Sequence, residues 1–410
     1  MIIKYIRRGG EKGNYCERFA SYAKDKREKL KGFRGGIWVH SVSVGETVIA
    51  VAMIQRWLEQ KPNQKFVLST TTTTGQALAN AKAPEGVVVI FCPIDWIFFV
   101  KKTIKLIQPK LLIIFETEIW PNMICQVRKS GAEMALVNAR ISDKSANGYR
   151  RFSCFFGPVL RNISLLCVQT ELDAERFKAV EPSINAVIGG NMKFDQTLPA
   201  NYPAINLHKC FGEGDYPILL AASTHPGEEE LIAGIFKKLH ADHENLKLII
   251  IPRHAERGGE ISNKLKSGGF NFIRRSENKE SQEGKTEGCD VLLADTTGEM
   301  LAFMNAADIV VMGKSLAGHN EGHNVIEPAL LGKPIITGSE LRNFRYILKA
   351  MQDDDGIITV STDDELEEAI KELLDRPEKR KALGERAKSA IEKHKGATER
   401  TIELCNKLLK

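Results

Sequence analysis

Apolar residues fall in short runs separated by stretches of helical spacing. In the first half the runs lie at 36–40, 65–70, 86–91, 110–115, 134–138 and 165–169. Between them, apolar positions at 45–60, 74–83, 97–107 and 121–131 recur every three or four residues, and a further helix precedes 165. In the second half the runs lie at 217–223, 246–252, 270–273, 290–294, 309–312 and 334–337, with helical spacing at 228–239, 260–267, 300–305 and about 324–332. Strands that are apolar on both faces and are joined through helices predict parallel sheets covered on both sides. The tail, 363–410, predicts helix, with Leu and Ile at helical spacing and many Lys/Glu pairs. A Pro-bearing stretch at 197–204 reads as a linker, and the polar stretch 276–288 as a surface loop. The expected fold is α/β, with two doubly wound parallel-sheet domains facing a cleft and ligands at the C-terminal ends of the strands. The expected division is a basic segment at 1–36, a first domain at 37–200 and a second at 201–410, whose last helix can pack back on the first.

A chain of 410 residues exceeds the usual size of a single core, in keeping with two domains. The formal net charge of +6 is uneven: residues 1–36 hold eleven Lys/Arg against four Asp/Glu, a net +7, leaving about −1 for the rest. Such a segment suits an anionic membrane surface, where each basic side chain gains roughly 1 kcal/mol; a solvated basic helix is the plain alternative. No zinc knuckle, RNA-binding aromatic signature or other reader motif accompanies the charge, so no nucleic-acid partner is expected. No apolar run approaches the roughly 20 residues of a membrane span, and Met1 to Arg8 breaks into charge too early for a signal peptide. The eight cysteines are scattered without a C-x-x-C pair, which suits a reducing compartment.

Candidate chemistry gathers where strands end. In Ser41-Val-Ser-Val-Gly-Glu46, the glycine allows a tight turn and Glu46 opens a helix; it reads either as a general base in the cleft or as a capping glutamate. Glu116-Thr-Glu118 follows the run at 110–115. Two carboxylates two residues apart on an extended segment project to one side; they could order a cationic or polyhydroxyl substrate, shift one another's pKa, or serve as helix-start acids before Pro121. Lys193 lies in a Gly-bearing loop and can meet phosphate or carboxylate. In the second half, Ser223 and Thr224 with nearby N–H groups suggest an anion site, Pro252-Arg253 offers a guanidinium and a backbone edge, and Asp295-Thr-Thr297-Gly298-Glu299 ends another run. The Gly-, His- and Asn-rich stretch from Gly313 leads to a helix near Asn324 with Glu327 in its first turn, a place for phosphate and ribose hydroxyls. His319 and His323 have i, i+4 spacing, but Asn-Glu-Gly lies between them and no third ligand stands out, so no metal is expected.

Taken together, these residues resemble the 3-deoxy-D-manno-octulosonic acid (Kdo) transferase family. The resemblance runs from about Gly36 to the C-terminus. It rests on His40-Ser-Val-Ser-Val-Gly-Glu46, Glu116-Thr-Glu118-Ile-Trp-Pro-Asn122, Asn138-Ala-Arg-Ile-Ser142, Lys193-Phe-Asp195, Ser223-Thr-His-Pro-Gly-Glu-Glu229, Pro252-Arg-His254, Asp295-Thr-Thr-Gly-Glu299 and His323-Asn324 through Glu327. It implies a GT-B fold, an acceptor-binding first domain and a CMP-sugar-binding second domain. Glu46 matches the catalytic base, and Glu116 and Lys193 match positions that stabilise the transition state. Ser223, Thr224, Pro252, Arg253, Thr297, Gly298, Glu299, Asn324, Val325, Ile326 and Glu327 fall in donor-contacting segments. The implied reaction moves Kdo from CMP-Kdo to a lipid A precursor, lipid IVA, with inversion, at the cytoplasmic face of the bacterial inner membrane, without cofactor or metal. Family members usually begin with a hydrophobic anchor, for which the basic segment here would substitute. The loop Leu316 to His323 also differs from the Gly-Gly-bearing form associated with the family. The rival readings are a nucleotide-sugar 2-epimerase of similar two-domain form and an inactive membrane-surface binding module.

Overall fold

The computed structural model describes residues 15–409 other than 200, 203 and 278–287. The chain divides into two compact units, the described parts of Met1–Gln196 with His394–Lys410 and of Thr197–Lys393. Each is built on a seven-stranded, all-parallel sheet.

The first sheet contains β1 (Ile37–Ser41), β2 (Phe66–Thr70), β3 (Val88–Phe91), β4 (Leu111–Phe115), β5 (Glu133–Ala139), β6 (Leu165–Val168) and β7 (Ala186–Ile188), in the order β3-β2-β1-β4-β5-β6-β7. Strands β1 and β4 are neighbours in register, Ile37 opposite Leu111 and His40 opposite Ile114. Every residue of both is buried, the double-sided burial that their unbroken apolar runs require. One core layer includes Trp38, Leu112, Ile114 and Phe177, and the other Val39, Trp57, Ile113 and Phe115.

The second sheet contains β8 (Ile218–Thr224), β9 (Lys247–Pro252), β10 (Phe272–Arg274), β11 (Val291–Leu293), β12 (Ile309–Met312), β13 (Ile335–Gly338) and β14 (Ile358–Val360), in the order β10-β11-β9-β8-β12-β13-β14. In both sheets the strand order reverses beside the unit's first strand, between β1 and β4 and between β8 and β12. Crevices at such points are where open α/β sheets bind ligands.

Two features differ from the expectations above, and a third, the placing of the last helix, follows them. The tail is three helices, Asp363–Asp375, Pro377–Lys393 and Ala397–Leu408, because Pro377 cannot continue the first and Gly396, at φ +95°, starts the last. The last helix belongs to the first unit, while the other two belong to the second. The described part of the basic segment, 15–36, is packed into the first unit rather than set apart from it. Leu30 is fully buried, and Glu17 accepts hydrogen bonds from Phe91 N (2.9 Å) and Lys26 Nζ (2.6 Å). Its four basic residues at positions 4, 7, 8 and 12 lie outside the described residues. No described helix is long and apolar enough to cross a membrane.

Candidate functional site

In the first unit, β1 ends at Ser41 and the helix Val44–Gln60 begins three residues later. Glu46 stands in its first turn and closes a capping box with Ser43. Its carboxylate accepts from Val42 N (2.8 Å), Ser43 N (3.2 Å) and Ser43 Oγ (2.7 Å). It is nearly buried, and that burial raises its pKa, with a further push from Glu116, against the opposing hydrogen bonds. The capping reading of Glu46 is thus seen directly, and the same side chain is a desolvated carboxylate at the switch point.

For Glu116 and Glu118 the geometry separates the alternatives. The following helix, Pro121–Lys129, has no cap from its own N-terminal neighbour. Asp95 caps it instead, accepting from Asn122 N (3.1 Å) and Met123 N (2.7 Å). This leaves Glu116 to face Lys193 Nζ at 4.0 Å and Arg140 Nη2 at 3.5 Å. Glu116 also holds a left-handed backbone, φ +54°, which is costly for a residue with a Cβ and common at functional sites. Burial, then the charges of Glu46 and Glu116, push Glu118 up to about 7. Burial pulls Lys193 down, and Arg140 adds to that, while Glu116 and Glu46 act in the other direction. The three carboxyls and Lys193 thus form one electrostatic group.

Lys193 is carried by a loop braced from far along the chain. Asn138 Oδ1 accepts from Met192 N (3.0 Å), and Asn191 Oδ1 from Lys193 N (3.0 Å). Asp195 accepts from Gly396 N and Thr398 N, each at 2.5 Å, and so caps the last helix. Gly189 has no room for a side chain, since a Cβ would run into Cys167 Sγ. The return of the last helix to the first unit fixes where Lys193 stands.

In the second unit, Glu228 accounts for much of the expected anion site. Its carboxylate is fully buried and accepts from His225 N (2.8 Å), Lys314 N (2.8 Å), Ser315 N (3.0 Å) and Leu316 N (2.9 Å). The N–H groups after β12 are therefore filled from within, a correction to reading them as free for a ligand. Thr224, Pro252, Val325 and Ile326 are buried, and the Ile326 N–H is taken by Asn324 Oδ1 (3.1 Å). The helix expected at about 324–332 is a single turn, Ile326–Leu330. Ser223 is half-buried at φ +57°; Arg253, Thr297 and Gly298 are exposed. Asn324 Nδ2 donates to Glu327 Oε1 (3.1 Å), and burial raises the Glu327 pKa. Glu299 is gripped by Arg275, Nη2 to Oε1 at 2.8 Å, and by Thr296 Oγ1.

Arg140, Arg275, His225 and Glu228 are the neighbours that sequence reading left without a role. Arg140 and Glu228 stood inside recognised motifs, but nothing local marked what they would face. Among the described residues no group of three His, Cys, Asp or Glu is arranged to hold a metal ion.

Two family models match the chain, one for each unit. The family model described as "3-Deoxy-D-manno-octulosonic-acid transferase (kdotransferase)" matches residues 13–196, and that of "Glycosyl transferases group 1" matches 230–390. The chain is 34% identical to the 3-deoxy-D-manno-octulosonic acid transferase of Haemophilus influenzae over 372 residues, covering 90% of this chain and 86% of the relative. Among solved structures, a glycosyltransferase of Rickettsia africae shares the fold at 12% identity and a TM-score of 0.60, covering 92% of this chain and 99% of the other. A UDP-GlcNAc 2-epimerase of Neisseria meningitidis does so at 11% and 0.58, covering 91% and 100%. Transferase and epimerase share this GT-B type of fold, so the fold does not choose between them. The sequence match does: the chain belongs to the 3-deoxy-D-manno-octulosonic acid transferase family.

Proposed function

We propose that the protein transfers Kdo from CMP-Kdo to the sugar of a lipid A precursor, lipid IVA, with inversion of the anomeric centre. The observation that carries this reading is the group at the first switch point, where buried Glu46 lies within electrostatic reach of Glu116 and Lys193. Glu46 takes the proton of the acceptor hydroxyl. Lys193, held against Glu116, offers positive charge to an anionic part of the donor, such as the Kdo carboxylate. In the second unit, Arg253, Asn324 and Glu327 are the groups on offer to CMP, with Glu327 suited to ribose hydroxyls. CMP leaves with its own negative charge, so cationic side chains can do what a metal does elsewhere. The expected result with CMP-Kdo and a tetraacyl lipid A precursor is a Kdo-bearing product by mass spectrometry, formed undiminished in EDTA. Loss of activity in EDTA restored by Mg²⁺ would overturn the metal-free scheme. Release of an epimer from a UDP-sugar, with no Kdo product, would overturn the transferase reading.

The same proposal puts the protein at an anionic membrane surface. Trp96 and Phe98 are 68% and 69% exposed, with Ile97 and Phe19 beside them in sequence or ring contact with Phe99. They start the helix Ile97–Ile107, whose Lys101, Lys102 and Lys105 are exposed, and the basic helix Lys24–Gly32 packs against it. Aromatic rings beside lysines suit the headgroup layer. Replacing Trp96 and Phe98 together by Ser should weaken sedimentation with anionic vesicles by about tenfold or more, given ~1.5–3 kcal/mol for each large apolar side chain removed from water. Replacing the three lysines by Gln should weaken it chiefly at low salt. Unchanged vesicle binding by both variants would overturn this surface as the point of attachment.

A further inference from the structure

Around the second switch point stands a group of histidines that the reaction scheme above does not use. His225 follows β8, and His323 ends the loop after β12. Their rings are stacked, with centroids 5.2 Å apart and Nε2 to Nε2 at 3.0 Å. His319 lies 5.5 Å from His225 and reaches Pro226 O with Nε2 (3.1 Å), and His254, just past β9, lies 6.0 Å from His225. At 3.0 Å the two Nε2 atoms share one hydrogen. One ring is therefore the Nε2–H tautomer, and its partner accepts through a bare Nε2.

The surroundings are cationic. Lys314 and Arg253 act on the pair, and among the described residues neither forms a salt bridge to a carboxylate. Arg257 also faces His225, but it is bound to Glu229 (2.6 Å) and Glu260 (3.4 Å). Glu256 lies beside His254 (3.6 Å). The nearest buried carboxylate, Glu228, spends its oxygens on backbone N–H groups, including that of His225. Burial, then the positive neighbours, hold His225 and His323 each down to about 4. At neutral pH the pair is an uncharged hydrogen-bonded couple within positive charge.

We infer that the His225–His323 pair is a proton-coupled receptor for a phosphate-type dianion, taking up one proton when the anion settles beside Lys314 and Arg253. The inference rests on the reading that the second unit binds CMP. The extra proton enters at Nδ1 of the donor ring, whose Nε2–H then donates as an imidazolium to its neutral partner, a charge-assisted hydrogen bond stronger than the neutral one. An arriving dianion offsets the two cations and removes the field that keeps the proton away. By linkage, what raises proton affinity on anion binding must tighten anion binding on protonation. Burial and the positive neighbours hold both rings down to about 4, so coupling grows as pH falls from 8 towards the raised midpoint of the complex.

The test is histidine-ring NMR across pH 4–8 on the full chain, alone and with saturating CMP, cytidine or sulfate, which stays a dianion throughout that range. With CMP the midpoint of the pair should rise by about one pH unit or more, equal to about tenfold in affinity. Sulfate should raise it in the same direction, and cytidine should leave it in place. His225→Gln and His323→Gln should each lower sulfate affinity several-fold more at pH 4 than at pH 8. CMP that saturates other signals without moving the midpoint would overturn the inference and leave the nucleotide reading standing. No saturable response to CMP would defeat the nucleotide reading, and a midpoint also unmoved by sulfate would then defeat this inference as well.

Discussion

Glu46→Gln should leave the fold and CMP binding in place while lowering turnover by about 10² or more, the usual scale for loss of a general base. The amide keeps an acceptor for Val42 N or Ser43, so the helix Val44–Gln60 still starts where it does. It cannot keep the full capping box, and a stability loss of about 1 kcal/mol is expected alongside. Denaturant unfolding separates that small loss from the large kinetic one, and near-normal turnover would remove Glu46 from the role of base. The pH profile supplies a second reading. A base must be ionised, and burial raises the Glu46 pKa, so activity should fall on the acid side at a higher pH than for an exposed carboxylate. Glu118, pushed up to about 7, ionises near neutrality and adds negative charge beside Glu46. Its folded value lies above its unfolded one. The first unit is therefore favoured with Glu118 protonated, and this contribution is lost as pH rises from about 4.5 through 7. Glu118→Gln should flatten that loss.

Glu228→Ala should destabilise the second unit by about 3 kcal/mol or more. The side chain is fully buried and accepts four backbone N–H groups from two loops. Each buried donor left unpaired costs about 1–3 kcal/mol, offset where water enters. The carboxylate also fits against Gly313, where a Cβ would lie 2.5 Å from Ser223 O and 2.8 Å from Glu228 Oε2. Removing it loosens the loop that carries Lys314 and His323, so CMP binding should weaken with stability. Glu228→Gln should recover only part of the loss: its amide oxygen still accepts, but its NH₂ meets donors where the carboxylate offered an acceptor. A change below about 1 kcal/mol in urea unfolding would show that the loop holds itself.

Much of the fold was legible because it is written locally. An unbroken apolar run followed by a helix can form a parallel strand covered on both sides and little else, and β1, β4, β8 and β12 appear where such runs stand. Strands β7 and β14 were not legible: each has three residues, is incompletely buried and lies at a sheet edge. An edge strand is recruited by its neighbour's unpaired backbone groups, for which no apolar run is needed. In the site, Glu46 and Glu116 were legible as motifs at strand ends, and Lys193 as a lysine in a Gly-bearing loop.

What they do to one another was decided in three dimensions. Asp95, not Glu116 or Glu118, caps the helix at Pro121, and that choice frees both glutamates. Arg140 and Lys193 meet Glu116 from 24 and 77 positions away. Glu228 reaches across 86 to 88 positions to fill N–H groups that looked open. Residues His394–Lys410 return to the first unit, where Asp195 caps the last helix and holds the Lys193 loop. The sequence by itself determined the two parallel sheets and the strand ends that bear chemistry, because side-chain periodicity follows from backbone geometry within a few residues. Only the tertiary structure decided which carboxylates stay free, which are spent on the backbone and which share a field with Lys193. Those choices depend on distance through space and on exclusion of water, and neither has a period along the chain.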